Sequence, residues 1–136
     1  NIDVADLEAN DQFGISVSLD GNRLAVGAPN DGGFQNSVLA SGSVYLFTFA
    51  DAQFSGGSEV ARFGAGWLGT NDLSLTQLGS GDSFGRSVSL DAGRLAVGAN
   101  NDDGQGNSVN NSGAVYLFTL GGSSSTAFTY GASPGD

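Results

Sequence analysis

The feature that most constrains this chain is that it contains the same stretch twice. Residues 11–48, DQFGISVSLDGNRLAVGAPNDGGFQNSVLASGSVYLFT, lie on residues 82–119 at a constant offset of 71, without a gap, and 27 of the 38 aligned positions are identical. A fold that satisfies both copies must be one that a unit of about 70 residues builds by stacking on its neighbour. The flanks match more loosely, IDVADLEAND (2–11) against LSLTQLGSGD (73–82). If Asp136 is read as running on into Asn1, AFTYGASPGD followed by NIDV lies against RFGAGWLGTNDLSL (62–75), with Phe128 on Phe63 and Gly131 on Gly66. The chain is thus cut in phase with its repeat, its tail suited to continue into the head of another copy. Two units are expected, 1–71 and 72–136.

Each unit reads as β-structure. SVSL (16–19) alternates small polar with apolar residues, the period of a strand with one wet face. Asp20-Gly21-Asn22 and Asp91-Ala92-Gly93 are tight-turn sequences. RLAVGA (23–28, 94–99) and VYLFTF (44–49) are nearly continuous apolar runs, expected as inner strands covered on both faces. EVARF (59–63) is a further strand, with TAFTY (126–130) as its counterpart, and LSLTQL and IDVADL are candidates for another short one. No segment carries a helical apolar stripe. Gly14, Gly27 and Gly42, with Gly85, Gly98 and Gly113, stand at strand edges, where glycine permits positive φ or close backbone approach.

Composition excludes several function classes. Without His or Cys there is no imidazole base, no Ser–His or Cys–His nucleophile, no disulfide framework and no thiolate metal site. A carboxylate pair is the remaining catalytic option. Glu8 and Glu59 are not repeated, however, and no Asp stands in an apolar stretch, so the chain reads as non-enzymatic. A net charge of -10, with only Arg23, Arg62, Arg86 and Arg94 as cations, opposes binding to nucleic acid or anionic membrane. No apolar run approaches the roughly 20 residues that span a bilayer. Abundant Asp, Asn and Gly without Cys or Met suit a secreted or cell-surface setting. The start at Asn1 reads as a processed form or a piece of a longer chain.

Phe13-Gly14 and Phe84-Gly85, LAVGAP (24–29) and LAVGAN (95–100), and GSVYLF (42–47) and GAVYLF (113–118) together resemble the FG-GAP repeat. That repeat is the blade unit of integrin-α-type β-propellers, and the long bacterial surface proteins with SVSLDG-RLAVGA repeats are similar. On this resemblance the repeat-signature residues are Phe13, Gly14, Gly27, Ala28, Gly42 and Tyr45, and Phe84, Gly85, Gly98, Ala99, Gly113 and Tyr116. The implied fold is all-β: two β-propeller-type blades of four to five antiparallel strands each, completed by oligomerisation or by further tandem repeats. Two departures stand out. The family's Asp-x-Asp-x-Asp-Gly calcium loop has no counterpart at Asp20–Asn22 or Asp91–Gly93, and Asn100 replaces Pro29 in the second copy.

Two blades leave apolar faces open, so the partner expected first is another copy of the chain, in a head-to-tail array or a ring. Glycans or surface proteins are further candidate partners. The polar loops 29–41 and 100–112 are the candidate binding segments. There Asn30, Asp31, Asn101, Asp102 and Asp103 carry the oxygen ligands that Ca²⁺ takes, while the same residues also form turns. Asn36-Ser37-Val38 recurs at Asn107-Ser108-Val109, as ligand contacts or as loop scaffolding. Asn110-Asn111-Ser112 fits a glycosylation sequon or is a chance match in an Asn-rich loop. Trp67 is expected in inter-blade packing, with sugar stacking as the alternative. Arg23 and Arg94 are expected to pair with nearby Asp residues.

Overall fold

The computed structural model describes residues 1–121 and, for the backbone alone, 128–130. Its first sheet has the order β1 (Ser16–Asp20), β2 (Arg23–Ala28), β3 (Ser43–Thr48), β4 (Ser58–Gly64) and β5 (Leu73–Ser74). The second has the order β6 (Phe84–Asp91), β7 (Arg94–Ala99), β8 (Ala114–Leu120) and β9 (Phe128–Tyr130). Adjacent strands are antiparallel except β5, which lies parallel to β4 with Phe63 opposite Leu73. The first sheet therefore extends past the boundary at residue 71. Ile2–Leu7, the match to LSLTQL, forms no strand, but Ile2, Val4 and Leu7 pack on the first sheet.

Both sheets are built from the same local rules. Asp20 pairs with Arg23 and Asp91 with Arg94, closing two-residue hairpin loops. β2 and β3 pair with Leu24 opposite Phe47 and Val26 opposite Tyr45, and the second sheet repeats this with Leu95 opposite Phe118 and Val97 opposite Tyr116. β9 keeps the same phase: Thr129 faces Thr119 as Ser58 faces Thr48. Phe128 consequently pairs with Leu120 rather than occupying the place of Phe63, which pairs with Val44. The offset of 71 governs the backbone here, not the alternative alignment of the chain ends. Thr126, Ala127 and Gly131, also used in that alignment and in the strand expected at 126–130, lie outside the described residues.

The sheets stack face to face. Ala25, Val44, Leu46, Ala61 and Phe63 on one face of the first sheet meet Phe84, Leu90, Leu95, Val97, Tyr116 and Phe118 of the second, and Leu75 and Leu78 from the connection complete this core. The opposite face of the first sheet carries Val26, Ala28, Tyr45 and Phe47, covered by Trp67, Phe13 and the N-terminal segment. Side chains alternate between the two faces along each strand. Tyr45 and Tyr116 thus stand on equivalent faces of their sheets, and that face in the second sheet is the one turned toward the first. We call this the leading face, and the opposite one the trailing face.

Candidate functional site

In each loop an Asp just past the second strand ties the turn to the third. Asp31 accepts hydrogen bonds from the Gly33 amide (2.7 Å) and the Tyr45 hydroxyl (2.5 Å), and its own carbonyl accepts from the Gly42 amide (2.8 Å). Asp102 repeats the set with Gly104 (2.7 Å), Tyr116 (2.5 Å) and Gly113 (2.7 Å). The chain can turn sharply here because Gly33 and Gly104 adopt φ of +73° and +71°. Burial pushes the Asp31 carboxyl above the ordinary Asp range, against the opposing pull of the Tyr45 hydroxyl and the Gly33 amide. Burial, and then the neighbouring carboxylate, push the Tyr45 hydroxyl far up, so it remains a donor.

The side chains considered for calcium are distributed within this scaffolding. Asn30 donates to the Asn10 carbonyl (3.1 Å), Asn101 to the Ser83 hydroxyl (3.3 Å), and Asp103 accepts from the Asn111 amide (2.6 Å). Among the described residues no group of three or more His, Cys, Asp or Glu side chains is placed to hold a metal ion. Both carboxylate oxygens of Asp31 and of Asp102 already accept a hydrogen bond. These hydrogen bonds fit the turn-scaffolding reading of the same residues. Asn36 and Asn107 adopt φ of +53° and +52°, the left-handed backbone of tight loops, and Asn110 is exposed in its turn.

Trp67 is 3 % exposed. Its indole N–H donates to the Ser43 hydroxyl (3.2 Å), its ring lies 6.0 Å from that of Tyr45, and the Arg62 guanidinium sits 4.2 Å above it. It packs the leading face of the first blade and offers no open ring for a sugar. Arg62 also binds Asp72 (2.9 Å) and Asp6 (2.8 Å), tying the outer strand to the N-terminal segment. Sequence reading passes over this cluster because Arg62 has no repeat partner. Arg23 pairs with Asp20 at 3.3 Å and Arg94 with Asp91 at 3.0 Å.

The most elaborate contact is the joint between blades. Ser16 Oγ donates to the Gly85 carbonyl (2.7 Å), the Leu90 amide donates to Ser18 Oγ (2.9 Å), and the Ala92 amide donates to Asp20 Oδ2 (3.0 Å). The Phe84 amide reaches the Ser41 carbonyl (2.9 Å), making a parallel bridge beside Gly42. Glycine is required where the backbones touch. A Cβ on Gly27 would lie 1.9 Å from the Gly85 carbonyl oxygen, and one on Gly42 equally close to the Phe84 oxygen. Of the signature glycines, Gly27, Gly42 and Gly85 thus stand at the joint itself. Sequence reading missed Ser16, Ser18 and Asp20, although SVSLD is identical in both copies and could have singled them out.

The FG-GAP repeat pattern matches residues 4–47 and 67–118. No curated protein matches the chain. FG-GAP repeats are in general non-enzymatic and typically extracellular or surface-borne, and among the described residues no helix is long and apolar enough to cross a membrane. Two matched segments in phase, each supplying the hairpin and inner strand of one sheet, place the chain in the FG-GAP repeat family, as two partial β-propeller blades.

Proposed function

We propose that the chain is a non-catalytic structural and adhesive repeat of a secreted or surface protein, and that it associates head to tail with further copies of itself into a fibre or surface array. The observation that carries this reading is a pair of unlike faces with exposed apolar side chains, at β1 on the leading face of the first blade and at β8 on the trailing face of the second. Val88 and Leu90 lie against the first blade, whereas their counterparts Val17 and Leu19 are 62 % and 51 % exposed. Val44 and Leu46 are buried against the second blade, whereas Val115 and Leu117 are 58 % and 42 % exposed. Each open face carries the residue types that its copy buries, so one chain presents both halves of the joint it already contains. Exposed apolar surface of this kind marks an association site, and a heterologous contact of this kind closes into a ring or grows into a filament.

The second reading is a closed propeller that binds a glycan or a protein, with or without calcium, through the loops at 29–41 and 100–112. It is supported by the exposure of Phe34, Leu39 and Val109 there. Negative-stain electron microscopy, with and without a chelator, tests both. Fibres support the array, and their loss on chelation brings calcium into the joint. Discrete rings move the weight to the binding module. Particles of single-chain mass at every concentration overturn self-association in either form.

A further inference from the structure

The second blade carries a cleft of about 440 Å³ lined by Arg86, Ser87, Gly98–Asn100 and Ser112–Val115. The first blade has no such opening at the equivalent place, because Phe84 and Gly85 fill it. There Ser16, Gly27, Ser41 and Gly42 surround the dipeptide, and a Cβ on Gly85 would lie 2.6 Å from the Ser43 carbonyl oxygen. Shifted by 71, those four become Ser87, Gly98, Ser112 and Gly113, all unchanged in type and all lining the cleft. Ser43 becomes Ala114, which keeps the carbonyl, the only part used.

We infer that this cleft is a socket for a Phe-Gly dipeptide, and that its occupant is Phe13-Gly14 of a second copy of the chain. The inference rests on the head-to-tail reading and gives that association its site and register. Gly14 has φ of +91°, the same as Gly85, and a Cβ built on it meets nothing within 4 Å, so its surface is open. Phe13 is half-buried where Phe84 is fully buried. The remaining joint bonds carry over in register. Ser87 Oγ reaches the Gly14 carbonyl of the second copy, Ser89 Oγ accepts from its Leu19 amide, and Asp91 accepts from its Gly21 amide. Ser87, Ser89 and Asp91 are exposed, whereas Ser16, Ser18 and Asp20 are partly covered by the second blade. A second copy suits this surface better than an unrelated protein, because both complementary halves, with their glycines and backbone donors, are present on one chain.

Gly98→Ala tests the socket. Within one chain the added methyl meets only the Ser87 hydroxyl, at 2.4 Å, a group that rotates away, and the φ of Gly98 is not in the left-handed region. In the joint the methyl occupies the place where a Cβ on Gly27 lies 1.9 Å from a carbonyl oxygen. The expected result is an unchanged circular dichroism spectrum, with association lost in sedimentation at concentrations where the parent chain assembles. Assembly of Gly98→Ala equal to the parent overturns the socket while leaving head-to-tail association standing. A parent chain that sediments at single-chain mass throughout overturns the association and the socket together. A second measurement holds even if Gly98→Ala misfolds. Val17→Asp/Leu19→Asp blocks one face and Val115→Asp/Leu117→Asp the other, so each alone should stay single and a mixture should form two-chain particles only. Self-association of either blocked chain, or a mixture that stays single, overturns the pairing.

Discussion

The two blades share the hexapeptide RLAVGA and the tetrapeptide VYLF, yet they bury them differently. In the first blade the last four residues of RLAVGA and all of VYLF are buried. In the second, burial alternates along β7 and β8, with every other residue partly or fully exposed. Local sequence is identical, so the difference comes from what lies alongside. The first sheet has the second blade on its trailing face and the N-terminal segment with Trp67 on its leading face; the second sheet has a neighbour on its leading face and an open trailing face. Strand formation is thus a property of each repeat, and burial is a property of position in the stack.

That contrast can be broken at matched positions in the dilute single chain. The largest effect is expected for Phe84→Ala, which empties a fully buried site between the sheets and should cost about 3–5 kcal/mol in chemical denaturation. Phe13→Ala, at a half-buried site, should cost clearly less, and equal losses would mean that the joint adds nothing to Phe84. Next, Leu46→Ala should cost about 2–5 kcal/mol, and Leu117→Ala, on the open face, about 1 kcal/mol or less. Similar midpoints for these two variants would show that the trailing face of the second blade is covered in solution.

A smaller difference separates the two hairpin aspartates. Asp20→Ala removes the acceptor of the Ala92 amide and should cost about 1 kcal/mol. Asp91→Ala, whose partner Arg94 is largely exposed, should stay within about 0.5 kcal/mol. The smallest effect concerns pH. Burial raises the folded Asp31 carboxyl above its ordinary value of 3.8, so the folded chain holds that proton more tightly than the unfolded one. Its contribution is fully present below pH 3.8 and is lost as pH rises through the raised value. Denaturation midpoints between pH 4 and 7 should therefore fall less steeply with pH for Asp31→Asn than for the parent, and parallel slopes would remove Asp31 as the cause.

The hairpin turns and inner strands are legible in the sequence because each is set by neighbours a few residues away, and the repeat length and glycine positions because the chain carries both copies. The polar links are only half legible. Asp31 reads as a turn residue, with a metal ligand as the alternative, since its partner Tyr45 lies 14 residues on and the sequence does not show that the hydroxyl reaches back. Trp67 reads as packing or as a sugar platform until Arg62 and Ser43 are seen to occupy it. LSLTQL and IDVADL look alike, yet the first supplies a two-residue strand and the second none, because only the first lies beside β4 within the described residues. The expectation that VYLF is covered on both sides holds for one copy alone, as strand patterning carries no information about which blade stands at an end.

The unlike faces of each blade also give any stack a direction. One terminus of such a stack would always display Val17 and Leu19, and the other Val115 and Leu117, so addition at the two termini is chemically distinct. A cap fitted to one terminus would stop growth there without touching the other, and an anchor that grips one terminus would orient every subunit behind it. Length and orientation could then be set by separate molecules, each reading a single face.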